Sequence, residues 1–117
     1  MIDHTTEQKG DVKVLQLRGD LTVQHACELR SILLTSLEEA ECIELDLSSI
    51  REVDTSCLQL FCAANRISRG MKKLLTVRNN PSEAARRAIR RAGYPCSSLC
   101  IRDRENQCIW DEETLHE

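Results

Sequence analysis

The chain has 117 residues, a net charge of -3, 41% apolar side chains and 30% charged ones. That length builds one compact domain rather than two, and the balance points away from a disordered chain and from a membrane protein, since no apolar run approaches the roughly 18–20 residues of a spanning helix. Three aromatics, Phe61, Tyr94 and Trp110, are too few for a platform that stacks single-stranded nucleic acid, and the negative balance speaks against a generic polyanion binder.

In chain order, a first weak strand is expected near Ile2 to Gln8, with a turn at Lys9-Gly10-Asp11. Val12 to Arg18 alternates as a half-buried strand does, with Leu15 and Leu17 on one face and Gln16 and Arg18 on the other. Gly19-Asp20 is expected to end it, and Thr22 to cap a helix over about Val23 to Glu39. The buried stripe of that helix is Ala26, Leu29, Leu33 and Leu37. Cys42 to Leu47 is the cleanest strand, Ile43, Leu45 and Leu47 alternating with Glu44 and Asp46. Two carboxylates on one side imply a sheet with helices on one face and a partly wet opposite face.

A loop is expected over Ser48 to Val53. Asp54-Thr55-Ser56 is N-cap chemistry three residues long. The helix it opens should reach Arg69, with Gly70 as its C-cap and with Leu58, Phe61, Cys62 and Ile67 as its apolar bulk. Lys73 to Val77 is the next strand. In Asn80-Pro81-Ser82-Glu83, Asn80 caps a third helix, Pro81 takes its first position and Glu83 completes a capping box. Gly93 ends that helix, and Leu99 to Arg102 is a last strand. The tail from Asp103 is open between a hairpin return and a short helix. Strands alternating with helices imply a single α/β domain with parallel strands and right-handed crossovers.

The net charge hides a polarity. Residues 1–65 sum to -7, residues 66–91 to +8 and residues 92–117 to -4. Arg86, Arg87, Arg90 and Arg91 share an arc of the third helix, with Glu83 placed to pair with Arg86 and Arg87. Charge runs of this kind are ordinarily solvated, so the arc is read as a solvated face rather than an anion or nucleic-acid site. Seven cysteines with no C-x-x-C pair do not make a disulfide framework. Cys96, Cys100 and Cys108 form one near pair and a distant third. That is a weak alternative for a metal or redox site, and no metal or other cofactor is expected. The start, Met1 to Glu7, lacks the basic-then-apolar layout of a secretory signal. A cytoplasmic location is therefore expected. There is no Gly-rich phosphate loop, no H-E-x-x-H and no G-x-S-x-G, and His4, His25 and His116 are scattered; an enzyme is not expected.

Three segments carry a family resemblance. They are Gly19-Asp20-Leu21-Thr22, then Leu45-Asp46-Leu47 followed by Val53-Asp54-Thr55-Ser56-Cys57-Leu58, then Asn80-Pro81-Ser82 with Ile89 and Gly93. In order and spacing they resemble the STAS family, of the bacterial anti-sigma-factor-antagonist type. The resemblance spans about residues 12–94 of a single domain covering 1–117, and leaves the tail 95–117 outside it. It implies a four- to five-stranded, mostly parallel sheet with helices mainly on one face. The hydroxyl after the motif Asp is the family's phosphoacceptor, which is Thr55 here, with Ser56 as second choice. The resemblance implies a partner that is both anti-sigma factor and serine kinase, with a histidine-kinase-like ATP-binding fold. The unmodified form binds it and the modified form does not. The docking patch expected is Asp20, Leu21, Thr22, Asp54, Thr55, Ser56 and Cys57, on a monomer or weak dimer.

Two departures stand out. Thr55 replaces the commoner Ser, and Cys57 replaces the motif Gly, which is expected to narrow the space for a partner's loop. Some STAS proteins with Thr at this position resemble the chain in another respect: they are regulatory subunits that bind the ATPase of a lipid-transport ABC complex without phosphorylation. A STAS component of a two-component signalling pathway is a further alternative.

Overall fold

The computed structural model describes residues 2–78 and 81–92. It holds four strands, β1 (Asp3–Lys9), β2 (Val12–Leu21), β3 (Cys42–Val53) and β4 (Leu74–Val77), and three helices, α1 (Ala26–Glu39), α2 (Thr55–Gly70) and α3 (Glu83–Arg91). The sheet order is β1-β2-β3-β4. β1 runs antiparallel to β2 through a two-residue turn, and β2, β3 and β4 are mutually parallel. Gly10 sits at φ +62 in that turn, the left-handed conformation a tight hairpin demands and a residue without Cβ adopts freely.

Alternation in β2 and β3 decides which face is buried. Leu15, Leu17, Ile43 and Leu45 have no exposed surface, and the three helices pack their apolar stripes on that side in one continuous core. Phe61 of α2 is the largest fully buried side chain among the described residues; burial of a side chain that size is worth about 2–3 kcal/mol. The opposite face is intermediate in burial, as Gln16, Arg18 and Glu44 require. Lys13 falls on the core side of β2 and is only 6% exposed; its ammonium is satisfied by Glu39 at the end of α1.

Several boundaries differ from the sequence expectation. β2 does not stop at Gly19-Asp20. Gly19 takes φ +85, and register shifts at Gln16/Arg18 and Gly19/Asp20 let the strand bend and continue to Leu21. The expected loop Ser48 to Val53 is the second half of β3, paired with that bulged stretch of β2. Ser48 and Ser49 are exposed there, while Ile50 and Val53 return to the core. The first helix opens with a 3-10 turn over Val23–His25 before α1 begins, and its buried residues are Leu29, Leu33, Ser36 and Leu37 rather than Ala26.

In α2, Ile67 is 44% exposed, and Asn65 and Ser68 are buried. Ser68 donates to the Asn65 carbonyl at 2.7 Å, which satisfies its hydroxyl inside the helix. Gly70 is the last helical residue rather than the cap, and the left-handed position falls on Lys72, φ 61. The cap of α3 is Ser82, whose Oγ accepts from the Ala85 N–H at 3.1 Å, so Glu83 opens the helix instead of closing a box. Ser82 also donates to the Ile50 carbonyl at 2.6 Å, which fixes the start of α3 against β3. No ion pair joins Glu83 to Arg86 or Arg87 among the described residues. The expected Asn80 cap, the helix end at Gly93, the strand Leu99 to Arg102, the cysteines Cys96, Cys100 and Cys108, and the tail lie outside the described residues.

Candidate functional site

The parallel pairing of β2 and β3 builds the site. Their last paired residues are Leu21 and Val53. Both chains then leave the sheet at the same edge, and each begins a helix within two residues. Thr22-Val23 and Asp54-Thr55 therefore lie side by side at the carboxyl end of the strands, the rim where α/β sheets carry their sites. The Asp54 N–H donates to the Leu21 carbonyl at 3.0 Å, extending the ladder by one bond.

Asp54 is the centre of this rim. Its Oδ2 accepts from the Val23 N–H at 2.6 Å. Its Oδ1 accepts from the Ser56 hydroxyl at 2.7 Å and the Cys57 N–H at 3.4 Å. One carboxylate thus caps α2 and also the 3-10 turn that opens α1. Burial pushes the carboxyl's pKa up, but the bonds from Ser56, Val23 and Cys57 outweigh it and hold the group below its ordinary value. His25 closes the other side of the turn. Its N–H donates to the Thr22 carbonyl at 2.8 Å, and its Nδ1 lies 3.5 Å from the Thr22 N and 3.3 Å from Thr22 Oγ1.

The three polar residues at the start of α2 are not equivalent. Ser56 is half-buried with its hydroxyl committed to Asp54. Thr55 is exposed, and among the described residues nothing hydrogen-bonds its Oγ1. It stands beside the first N–H groups of a sixteen-residue helix, where anions are stabilised.

Of the residues expected to form the patch, Thr22, Asp54, Thr55 and Ser56 come together. Asp20 lies one step back along β2, paired with Arg51 at 3.4 Å. Leu21 and Cys57 are both 0% exposed, so their side chains support the rim from below and do not form its surface. The Cys57 side chain is therefore turned away from the surface it was expected to narrow. Its thiol points back towards the Thr22 carbonyl, 3.4 Å away. Val23, expected as the first residue of a helix, is 63% exposed beside Asp54. Only the bulge that carries β2 to Leu21 puts it there, and no periodicity signals a bulge. In the sequence His25 is one of three scattered histidines, and its role in the turn depends on the same displacement of the helix start.

Burial, with the Asp54 charge beside it, pushes the Cys57 thiol up to about 11. At pH 8 the Cys57 thiolate is therefore about a hundredfold scarcer than that of an ordinary thiol, and occlusion adds to this, so its alkylation should lag well behind that of exposed Cys27. Timed iodoacetamide labelling read by mass spectrometry checks this; equal rates would contradict the buried placement.

A family model described as Mlab, STAS domain matches residues 4–94. With that span matched, the chain belongs to the STAS domain family. Its fold is that of the anti-sigma factor antagonist SpoIIAA. The unphosphorylated form of that protein superposes with a TM-score of 0.65 at 18% identity, covering 78% of this chain and 81% of the other. The phosphorylated form of the Bacillus cell fate determinant SpoIIAA gives 0.61 at 18% identity, with 78% and 84% covered. An anti-sigma factor antagonist from Mycobacterium paratuberculosis gives 0.65 at 19% identity, with 80% and 79% covered. No curated protein matches the chain. No helix among the described residues is long and apolar enough to cross a membrane.

Proposed function

We propose that this chain is an anti-sigma-factor-antagonist-like regulatory binding protein, acting by binding rather than catalysis and switched by phosphorylation of Thr55. The partner is an anti-sigma factor that is also a serine/threonine kinase, with a histidine-kinase-like ATPase fold. The docking patch is the rim made by Thr22, Val23, Asp54, Thr55 and Ser56. One observation carries the assignment of the switch: Thr55 is the exposed, uncommitted hydroxyl in a motif whose other hydroxyl is bound to Asp54.

A phosphate on Thr55 adds about -1.5 to -2 charge at pH 7. The N-terminus of α2 tolerates that charge, so the domain stays folded. The rim changes instead, because a dianion now stands beside the Asp54 carboxylate in the middle of the patch. A partner that packed on the neutral surface meets charge repulsion and the cost of desolvating the phosphate.

A second reading is favoured by the threonine itself, which stands where a serine is commoner. In it Thr55 stays unmodified and is a contact residue for the ATPase subunit of a lipid-transport ABC complex. A pull-down from the source cell with the wild-type chain and Thr55→Ala, read by mass spectrometry, separates the two. Capture of a kinase with a histidine-kinase-like ATPase fold supports the switch, and capture of an ABC ATPase supports the second reading. Capture of neither class by the wild-type chain would contradict both.

A further inference from the structure

The outer edge of β1 belongs neither to the rim nor to the core. Among the described residues β1 pairs only with β2, so one side of the strand carries open backbone groups. The hairpin decides which ones. Across a two-residue turn the flanking residues, Lys9 and Val12, exchange hydrogen bonds, and bonded and non-bonded pairs alternate from there. Asp3, Thr5, Glu7 and Lys9 thus turn their N–H and C=O towards β2. His4, Thr6 and Gln8 turn theirs outward.

Edges of this kind are commonly blunted by a proline, a bulge, extreme shortness, a covering segment or charged side chains; the charges of β1, Asp3, Glu7 and Lys9, admit only a strand that matches them. β1 has seven residues, no proline, and an unbroken register with β2. All its side chains are exposed. On the helix side, His4 and Thr6 border an open recess of about 310 Å³ against Ser31, Ile32 and Thr35 of α1, so none of the described residues covers the edge there.

We propose that β1 pairs antiparallel with β1 of a second copy, centred on Thr6, to give a two-fold symmetric dimer with a continuous sheet. The occupant follows from the charge pattern. In this register the outward groups are all satisfied: Thr6 meets the second copy's Thr6, and His4 meets the second copy's Gln8, each pair exchanging both hydrogen bonds. The non-bonded pairs between them bring side chains closest. They set Thr5 against the second copy's Glu7, and Asp3 against the second copy's Lys9 at both ends of the ladder.

The neighbouring registers are worse. A shift of one residue offers inward-facing groups to the second strand. A shift of two sets either Asp3 against Glu7 or Glu7 against Glu7, and like charges directly opposite are destabilising. Asp3 is already oriented for the task. Arg18 holds its carboxylate through bonds of 2.9 and 3.2 Å, and the oxygens retain capacity for a second cation. Among the described residues Lys9 is tied only by a 4.0 Å contact to Glu7 with both side chains well exposed, which costs little to release. The strand is polar and the interface one strand wide, so the dimer is weak and concentration-dependent. It lies apart from the Thr55 rim and does not depend on what that rim binds.

Sedimentation equilibrium of the full chain tests this, under reducing conditions because seven cysteines would otherwise cross-link copies. The wild-type chain should show a monomer–dimer equilibrium. Lys9→Glu and Asp3→Lys each replace attraction by repulsion at both ends, and each should weaken the dimer roughly tenfold or more. Mixing the two variants sets opposite charges against each other again at both ends and should restore association. Thr6→Pro removes an outward N–H and should also abolish the dimer; circular dichroism of every variant checks that it is folded. A wild-type chain that stays monomeric at the highest concentration would overturn the proposal. So would folded variants that dimerise as the wild type does, or a mixture that associates no better than either variant alone.

Discussion

Asp54→Ala should lower the stability of the domain by about 1–3 kcal/mol, more than loss of an ordinary helix cap, because two helix starts lose their acceptor at once. In thermal unfolding followed by circular dichroism this corresponds to a fall in Tm of roughly 5–15 °C. Asp54→Asn should fall between, since a single amide oxygen can serve the Val23 N–H or the Ser56–Cys57 side but not both as the carboxylate does. The pH dependence has a definite sign. The folded-state pKa of Asp54 is held below its unfolded value. Its stabilising contribution is therefore fully present above the ordinary carboxylate range, and is lost as pH falls through the folded value. Asp54→Ala should accordingly show a smaller loss of stability between neutral and acid pH than the wild type. A variant as stable as the wild type at pH 7 would mean the two caps are not coupled through this residue.

Thr55→Asp should abolish partner binding while the folded spectrum stays native. Thr55 is exposed and among the described residues its hydroxyl supports no other group, so a carboxylate there costs the fold little, and the N-terminus of α2 favours it. On the rim it places a second negative charge next to Asp54. A mismatched charge inside an interface costs several kcal/mol, so affinity should fall by about a hundredfold or more in a titration with the captured partner. Thr55→Ala should bind within a few-fold of wild type. If Thr55→Asp loses its folded spectrum, the separation of switch from scaffold is wrong.

The STAS architecture was legible because its signals are local. Alternation named β2 and β3, and the cap chemistry of Asp54-Thr55-Ser56 located the start of α2. What was not legible depends on pairing between distant segments. The polar stretch Ser48 to Arg51 reads as a loop until the bulged end of β2 is seen to pair with it. Asn80-Pro81-Ser82-Glu83 offers two caps, and the tie from Ser82 to the Ile50 carbonyl selects the second. Ile67 is apolar and regularly spaced, yet it falls on the outward side of α2, with Ser68 and Asn65 inside. For the site, the sequence pointed to Asp54 and Thr55 and kept Ser56 as a second choice of hydroxyl. Only the geometry commits Ser56 to Asp54 and shows that Leu21 and Cys57 lie beneath the surface. Likewise Asp54 reads as the cap of its own helix, and its second role at Val23 needs the strand register that brings Leu21 beside Val53.

The most direct test of the switch is to locate the phosphate. The kinase captured on the wild-type chain is incubated with that chain and ATP, and the product is mapped by tandem mass spectrometry alongside Ser56→Ala and Thr55→Ala. Phosphate on Thr55, retained in Ser56→Ala, absent from Thr55→Ala and accompanied by release of the partner, is the predicted result. Phosphate on Ser56 with Thr55 unmodified, or a Thr55-phosphorylated chain that remains bound, would contradict it.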